Sequence, residues 1–325
     1  MRNNSVRFSF LFSLAGLRRA AQYLSFGVLT YGGNFGIRLG SFLPCFSCPF
    51  ISGCAGRCYF RRLQYDLLLP VADVLSGRHM DAVYAFLAML GLLMLLGKSW
   101  CGWICPMGLA QEWVTKLRNI LGIREAEISP ELLRRLGGIK YLVLAWFVVI
   151  VPAIFHIAGE QIDLYAAMCG ICPGRTIMPL FELNTYSWAI VAINPTSAVL
   201  SGLLSIFTGI TLAGIFFKDR FFCLFCPMAA MMHLFKPLLL LRLVKTPPAC
   251  HGCGNCRRGC PMNIQSVHDE REKIEVQADG CMGCFHCVDT CAGAETLSIK
   301  FGPFVLFSSS RANAAGLTRL FRRKK

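Results

Sequence analysis

Two runs of four cysteines near the C-terminal end constrain this chain more than any other feature. The first reads Cys250-x-x-Cys253-x-x-Cys256-x-x-x-Cys260-Pro261, and the second Cys281-x-x-Cys284-x-x-Cys287-x-x-x-Cys291. Two-residue steps let successive thiolates curl round one face of an iron–sulfur cube, and in the paired arrangement the fourth Cys of each run crosses to the other cube. Cys250, Cys253, Cys256 and Cys291 are therefore expected at one [4Fe–4S] cluster. Cys281, Cys284, Cys287 and Cys260 are expected at a second. Gly252, Gly254, Gly259, Gly280 and Gly283 permit the close backbone path such sites need. The bland alternatives are a zinc site and a disulfide framework, but a zinc takes four ligands and leaves two interleaved runs of four unexplained. Ala292 departs from the pattern where the first run has Pro261, without loss of a ligand.

The rest of the chain is apolar. Of 325 residues, 55% are hydrophobic and 16% charged, with a mean hydropathy of +0.52, which suits a membrane protein better than a soluble domain. The net charge of +15 then points to an anionic cytoplasmic leaflet as partner, and not to nucleic acid. Arg2, Arg7, Arg18 and Arg19 precede the first apolar run without a twin-arginine signal or a small-residue cleavage site, so that run is expected to be retained.

Four segments read as membrane spans of about 20 residues: Ala20 to Ile37, Ala82 to Gly97, Tyr141 to Gly159, and a fourth with its core at Pro195 to Phe217. Lys98, Lys116, Arg118, Arg124, Arg134, Arg135 and Lys140 lie between the second and third, against Arg175 alone between the third and fourth, which places the former loop inside. The loop after the first span, with Arg38, Arg57, Arg61, Arg62 and Arg78, argues the other way. Both termini are read as cytoplasmic, because cluster assembly occurs there.

The expected fold is thus an all-α membrane bundle of about four transmembrane helices in two repeats, multi-pass in the inner membrane, plus a C-terminal α+β bacterial-type 2[4Fe–4S] ferredoxin domain on the cytoplasmic side. The expected division is a cytoplasmic N-terminus over 1–19, the transmembrane domain over 20–227, an interfacial helix and linker over 228–248, the ferredoxin domain over 249–300 and a basic tail over 301–325.

Ten further Cys fall between these segments. Cys45-x-x-Cys48-Pro49, Cys101-x-x-x-Cys105-Pro106, Cys169-x-x-Cys172-Pro173 and Cys223-x-x-Cys226-Pro227 form a duplicated unit. Each places Cys at a helix N-cap and Pro at the first helical position, where its missing N–H costs nothing. There the helix dipole is expected to lower the thiol pKa. Cys101, Cys105, Cys223 and Cys226 form a candidate inner metal or cluster site, and Cys45, Cys48, Cys169 and Cys172 a candidate outer one. Free thiols, or a disulfide on the outer face, are the alternative. Cys54 and Cys58 stay unassigned: ligands to the outer site, a disulfide, or an entry point for a partner's electrons.

Cys101-Gly102-Trp103-Ile104-Cys105-Pro106-Met107-Gly108, with Cys223-Leu224-Phe225-Cys226-Pro227 and the double ferredoxin run, resembles the NapH/NosR-type polytopic iron–sulfur proteins over roughly Leu17 to Lys300. The resemblance implies electron transfer between the quinone pool, or a cytoplasmic donor, and periplasmic redox partners, with lipid and oxidoreductase subunits as neighbours. It also implies an electron-transfer subunit, such as a quinol dehydrogenase component, without assigning this chain a catalytic residue. The chain departs from the pattern at the two-residue step after Cys223, in its six extra cysteines, and in lacking a NosR-like flavin-binding region. The rival readings are a copper-handling assembly factor of the FixG/CcoG type and a membrane redox sensor.

Other polar residues carry weaker signals. His156, near Glu160 and Asp163, is either a proton acceptor for a quinol or a packed histidine. His79 and His233 offer no pairing across spans for a haem. Gln111 and Glu112 are either donors behind the inner thiols or a solvated face, and Met228, Met231 and Met232 read as packing before copper.

Overall fold

The computed structural model describes residues 14–45, 51–59, 63, 76–77, 80–126, 128–150, 153–154, 157, 172–184 and 195–310. The first helix, α1 (Leu14–Tyr31), buries Leu14, Gln22, Phe26 and Leu29, the three- and four-residue spacing of one helical face. Two short parallel strands follow, β1 (Gly40–Cys45) and β2 (Gly56–Cys58), with Cys45 opposite Cys58. Helix α2 (Met80–Leu96) buries Ala82, Ala85, Met89 and Leu93. The short helix α3 (Ser99–Trp103) leads into α4 (Pro106–Ile120). Helix α5 (Pro130–Val143), capped by the Ser129 side chain on the Leu132 N–H, widens into a π-helical stretch over Leu144–Ile150. Further on come α6 (Gly174–Ile177), α7 (Pro195–Phe217) and α8 (Pro227–Leu234).

The C-terminal unit is an antiparallel three-stranded sheet in the order β3 (Leu241–Lys245), β4 (Leu297–Phe301), β5 (Phe304–Ser308). Between β3 and β4 the chain makes three one-turn helices: α9 (Asn255–Arg258), α10 (Ser266–Asp269) and α11 (His286–Thr290). The inward faces supply Leu243, Val267, Val276, Phe285, Val288, Leu297 and Ile299, and Leu14 from the start of α1 packs into the same cluster. A second core joins Tyr59, Met89, Leu93, Trp100, Met228, Met231 and Met232, so the methionines are packing, as the apolar stripe implied. The third gathers Phe26, Ile51, Met107, Leu109, Ile177, Met178 and Ile215.

The ferredoxin half of the expected fold stands. The membrane bundle does not: among the described residues no helix is long and apolar enough to cross a membrane. Each apolar run does contain helix, but its ends are spent differently. Helix α1 begins six residues earlier than the expected span and carries Arg18 and Arg19. Helix α2 has 17 residues, short of the roughly 20 a bilayer core requires. Helix α5 carries Glu131, Arg134, Arg135 and Lys140 and changes pitch at Leu144, while α7 buries Thr208, Thr211 and Ile215. The expected interfacial helix and linker over 228–248 is also divided, because α8 ends at Leu234 and Leu241–Lys245 is the first strand of the ferredoxin sheet. That sheet extends to Ser308, into the segment expected as a basic tail, whose residues 311–325 lie outside the described residues.

A candidate iron–sulfur relay

The first ferredoxin set converges as its spacing predicts. Cys250, Cys253, Cys256 and Cys291 line one small cavity, together with Lys245, Gly252 and Gly254. Gly252 and Gly254 have φ of +69° and +72°, which a side chain would strain. The Lys245 ammonium closes the back of this cavity, fully buried and donating to the carbonyls of Val267, His268 and Glu270 at 2.9, 2.9 and 2.6 Å. Burial and the neighbouring Cys291 thiol push Cys256 up.

The thiols of the second candidate set also lie near one another. Cys260 lies within electrostatic reach of Cys284 and Cys281, and burial pushes its thiol up to about 12. Cys287 faces Cys284, Cys281 and Cys260 and is raised by burial well above the usual thiol value. The Ile264 and Gly283 N–H groups point at the Cys260 and Cys281 sulfurs, at 3.4 Å each.

The inner quartet also comes together. Cys101 faces Cys105, Cys226 and Cys223, and Cys226 in turn faces Cys223 and Cys105. Cys105 and Cys226 occupy the N-caps of α4 and α8, with Pro106 and Pro227 at the first helical position, as the Cys-Pro motif predicts. The expected fall in thiol pKa does not follow. Amides of Met107 and Gly108 favour the Cys105 thiolate, and those of Met228 and Ala229 favour Cys226, yet burial and the adjacent thiols raise both. Low dielectric outweighs the helix end here.

Three side chains organise the quartet. Gln111 donates to Cys223 Sγ at 3.7 Å and accepts from the Phe222 N–H at 3.1 Å. Glu112 does not touch a thiol. It pairs with Arg18 at 2.8 Å and closely with Arg220, and accepts from Gln22 at 3.3 Å. Arg220 escaped the sequence reading. Its guanidinium is 2% exposed, it lies over Gly108 where a Cβ would collide with it, and it faces Cys223 and Cys105. Its Nε and Nη1 are buried without a hydrogen-bond partner. A buried cation with two unused donors beside two of the four thiols fits an anionic thiolate-bound cluster and would be costly beside neutral thiols. Met232 Sδ lies 3.4 Å from Cys101 Sγ.

The inner quartet and the second ferredoxin set share a seam. A Cβ on Gly102 would lie 2.8 Å from the Cys284 Cα, and one on Gly283 would lie 2.6 Å from the Ser99 N. Backbone thus meets backbone between α3 and the Cys281–Cys284 loop. The Trp103 indole donates to the Gly283 carbonyl at 3.2 Å. Lys98, 3% exposed, donates to the carbonyls of Ala278 and Asp279 at 3.1 and 2.7 Å and meets His233 Nδ1 at 3.0 Å. Burial lowers its pKa to about 8, against the pull of Cys281, Asp279 and Cys101. His233 is lowered by burial and by Lys98, which keeps it neutral near pH 7.

The candidate outer site is seen only in part. Cys48 and Cys169 lie outside the described residues, as do His79, His156, Glu160 and Asp163, and only the backbone of Cys45 is described. Cys172 is raised to about 11 by burial, with the Cys58 thiol adding to the rise, and Cys54 Sγ contacts the Gly56 carbonyl at 3.0 Å. Among the described residues no group of three or more His, Cys, Asp or Glu is placed to hold a single metal ion.

Comparison with known proteins places 4Fe–4S families over the ferredoxin and inner-quartet cysteines. The 4Fe–4S binding domain family matches residues 79–124 and 200–247, each around one inner Cys pair, and the 4Fe–4S dicluster domain family matches 242–292. The double match supports the internal repeat. YccM of Escherichia coli, provisionally named an electron transport protein, is 27% identical over 73% of this chain and 60% of its own length. The ferredoxin-type protein NapH of Haemophilus influenzae is 26% identical over 69% of this chain and 71% of its own. The regulatory protein NosR of Pseudomonas aeruginosa is 26% identical over 60% of this chain but 24% of its own. The chain thus matches less than two thirds of the length of YccM and about a quarter of NosR. No solved structure matches it. On these matches the chain carries 4Fe–4S-binding regions and is similar, over about two thirds of its length, to ferredoxin-type electron-transport proteins such as NapH and YccM.

Proposed function

We propose that the chain relays electrons through three contiguous thiolate sites: the Cys250/Cys253/Cys256/Cys291 set, the Cys281/Cys284/Cys287/Cys260 set, and the Cys101/Cys105/Cys223/Cys226 quartet. When bound, [4Fe–4S] clusters supply one-electron redox chemistry at such sites. The chain's own residues hold Cys105 and Cys226 at helix N-caps and bring the second and third sets into backbone contact. The observation that carries the reading is the Gly102–Gly283 seam, since two independently folded sites would not need glycine on both sides of their contact.

The donor and acceptor are a redox protein at one end and, at the quartet end, a quinone. An apolar cavity lined by Tyr59, Met89, Leu93, Leu144, Met231 and Phe235 shares its core cluster with Met232, which touches Cys101, and supports that second assignment. In this reading the protein is an electron-transfer component of an oxidoreductase.

Iron and acid-labile sulfide per chain, measured on anaerobically purified protein with low-temperature EPR, tests the proposal. Two cubes would give about eight of each and three about twelve. About twelve, falling to about eight in Cys105→Ser, is the expected result. About eight in both proteins would remove the quartet from the relay.

A further inference from the structure

Lys98 holds an unusual position. It is the residue before α3, the helix that carries Cys101, and its ammonium reaches across the seam to the loop that leads into Cys281. Its neighbours do not balance it. Lys140 is equally buried and donates to Asp279 Oδ1 at 2.7 Å, while Lys98 Nζ lies 3.9 Å from the same atom. Asp279 accepts from Lys140 and also lies within ion-pair distance of Lys98 and His233, so a single carboxylate serves all three. His233 meets the same carboxylate at 3.5 Å, and Tyr141, held up to about 12 by burial and by Asp279, is the other titratable group at the contact; neither adds a negative charge. Two buried ammonium groups therefore face one carboxylate, and one positive charge is left over between Cys281 and Cys101.

An unbalanced buried charge is expensive in a low-dielectric contact unless an anion lies nearby. A cube held by four thiolates is net anionic, and so is its more reduced state to a greater degree. We propose that Lys98 sets the reduction potential at the crossing between the second ferredoxin set and the inner quartet: its fixed charge favours the added electron on either side of the seam. Net charge, hydrogen bonding and burial are the levers by which a protein tunes such centres. Lys98 is a positioning residue here, not a ligand, and this role rests on the relay reading above.

The test is an EPR-monitored redox titration of the full chain carrying Lys98→Gln, with Lys98→Arg as the charge-conserving control. Gln keeps a donor for the Ala278 and Asp279 carbonyls and removes the charge. The expected result is unchanged iron content and a midpoint for the Cys284-dependent signal lowered by at least a tenfold change in its reduced-to-oxidised ratio, about 59 mV for a one-electron couple. Lys98→Arg should leave that midpoint in place. An unmoved midpoint in Lys98→Gln would overturn the proposal. Loss of iron from Lys98→Gln would overturn it as well, by making Lys98 a structural latch. Failure of the relay reading looks different: a Cys284→Ser protein that keeps all its iron and all its signals shows that no cluster sits at the seam, whatever Lys98 does.

Discussion

Gly102→Ala tests the seam directly. Its Cβ would meet the Cys284 Cα at 2.8 Å and the Cys284 N and Met282 O at 2.9 Å, against an ordinary contact of 3.4 Å or more, so rigid backbone must retreat by about 0.6 Å. Overpacking of this kind costs about 1–3 kcal/mol. Alanine in α3 returns about 1 kcal/mol through helix propensity, leaving a net loss of about 0–2 kcal/mol, against a net gain in the control that follows. Gly91→Ala in α2, where a Cβ meets nothing within 4 Å, is the control and should gain about 0.5–1 kcal/mol. Thermal unfolding, at about 2–4 °C per kcal/mol for a protein of this order of size, reads both. Iron content reports whether the Cys284 loop still closes. If Gly102→Ala is as stable as the control and keeps its iron, the two halves are not docked as described, and the contact between the second and third sites fails with it.

Cys291→Ser should abolish the cluster whose other thiols are Cys250, Cys253 and Cys256, and Cys260→Ser the other; EPR showing loss from the same run as the mutation would refute the crossed assignment. Leu243→Ala removes a side chain that is 1% exposed in the ferredoxin core and should cost about 2–5 kcal/mol, read by denaturant unfolding. Glu112→Gln leaves Arg220 buried without its carboxylate and should cost about 3–5 kcal/mol at pH 7. Burial raises Glu112, but Arg220 and Arg18 more than offset it and hold it below the usual carboxylate range. Its contribution is therefore complete above the unfolded value of about 4.3 and is lost as pH falls through the lower folded value. The stability gap between wild type and Glu112→Gln should narrow below about pH 4; a gap that widens on acidification would contradict the pairing.

The gathering of Cys250, Cys253, Cys256 and Cys291 at one cavity was legible because their spacing is local and needs few long-range contacts. Cys105-Pro106 and Cys226-Pro227 were legible as helix starts for the same local reason. The thiol pKa directions were not, because burial and the clustering of four thiols depend on how α3, α4 and α8 meet. Lys98 looked like a loop charge in the sequence and Arg220 drew no notice, and each proves to be almost wholly buried. Gln111 could be named as a donor candidate from its place after Cys105, whereas Glu112 was recognisable as an anchor only once Arg18 and Arg220 were seen on either side. The four apolar runs misled for a physical reason. Hydropathy reports what a segment is made of, not where its helix begins, and α1 takes in two arginines while α2 stops short.

Leu14 has a consequence for the order in which this protein matures. It sits in one hydrophobic cluster with Leu297 and Ile299, so the first described helix cannot finish folding until nearly the last strand has been made. At roughly 5–20 residues per second of synthesis, the ribosome holds that helix open for something like fifteen seconds to a minute. During this interval the inner thiols are also uncovered, since the Cys281–Cys284 loop that closes over Gly102 has not yet emerged. Cofactor delivery to the quartet therefore has a natural window before the seam shuts, and a chain that stalls before β4 would present an open apolar helix, a form that proteases can distinguish from the finished protein.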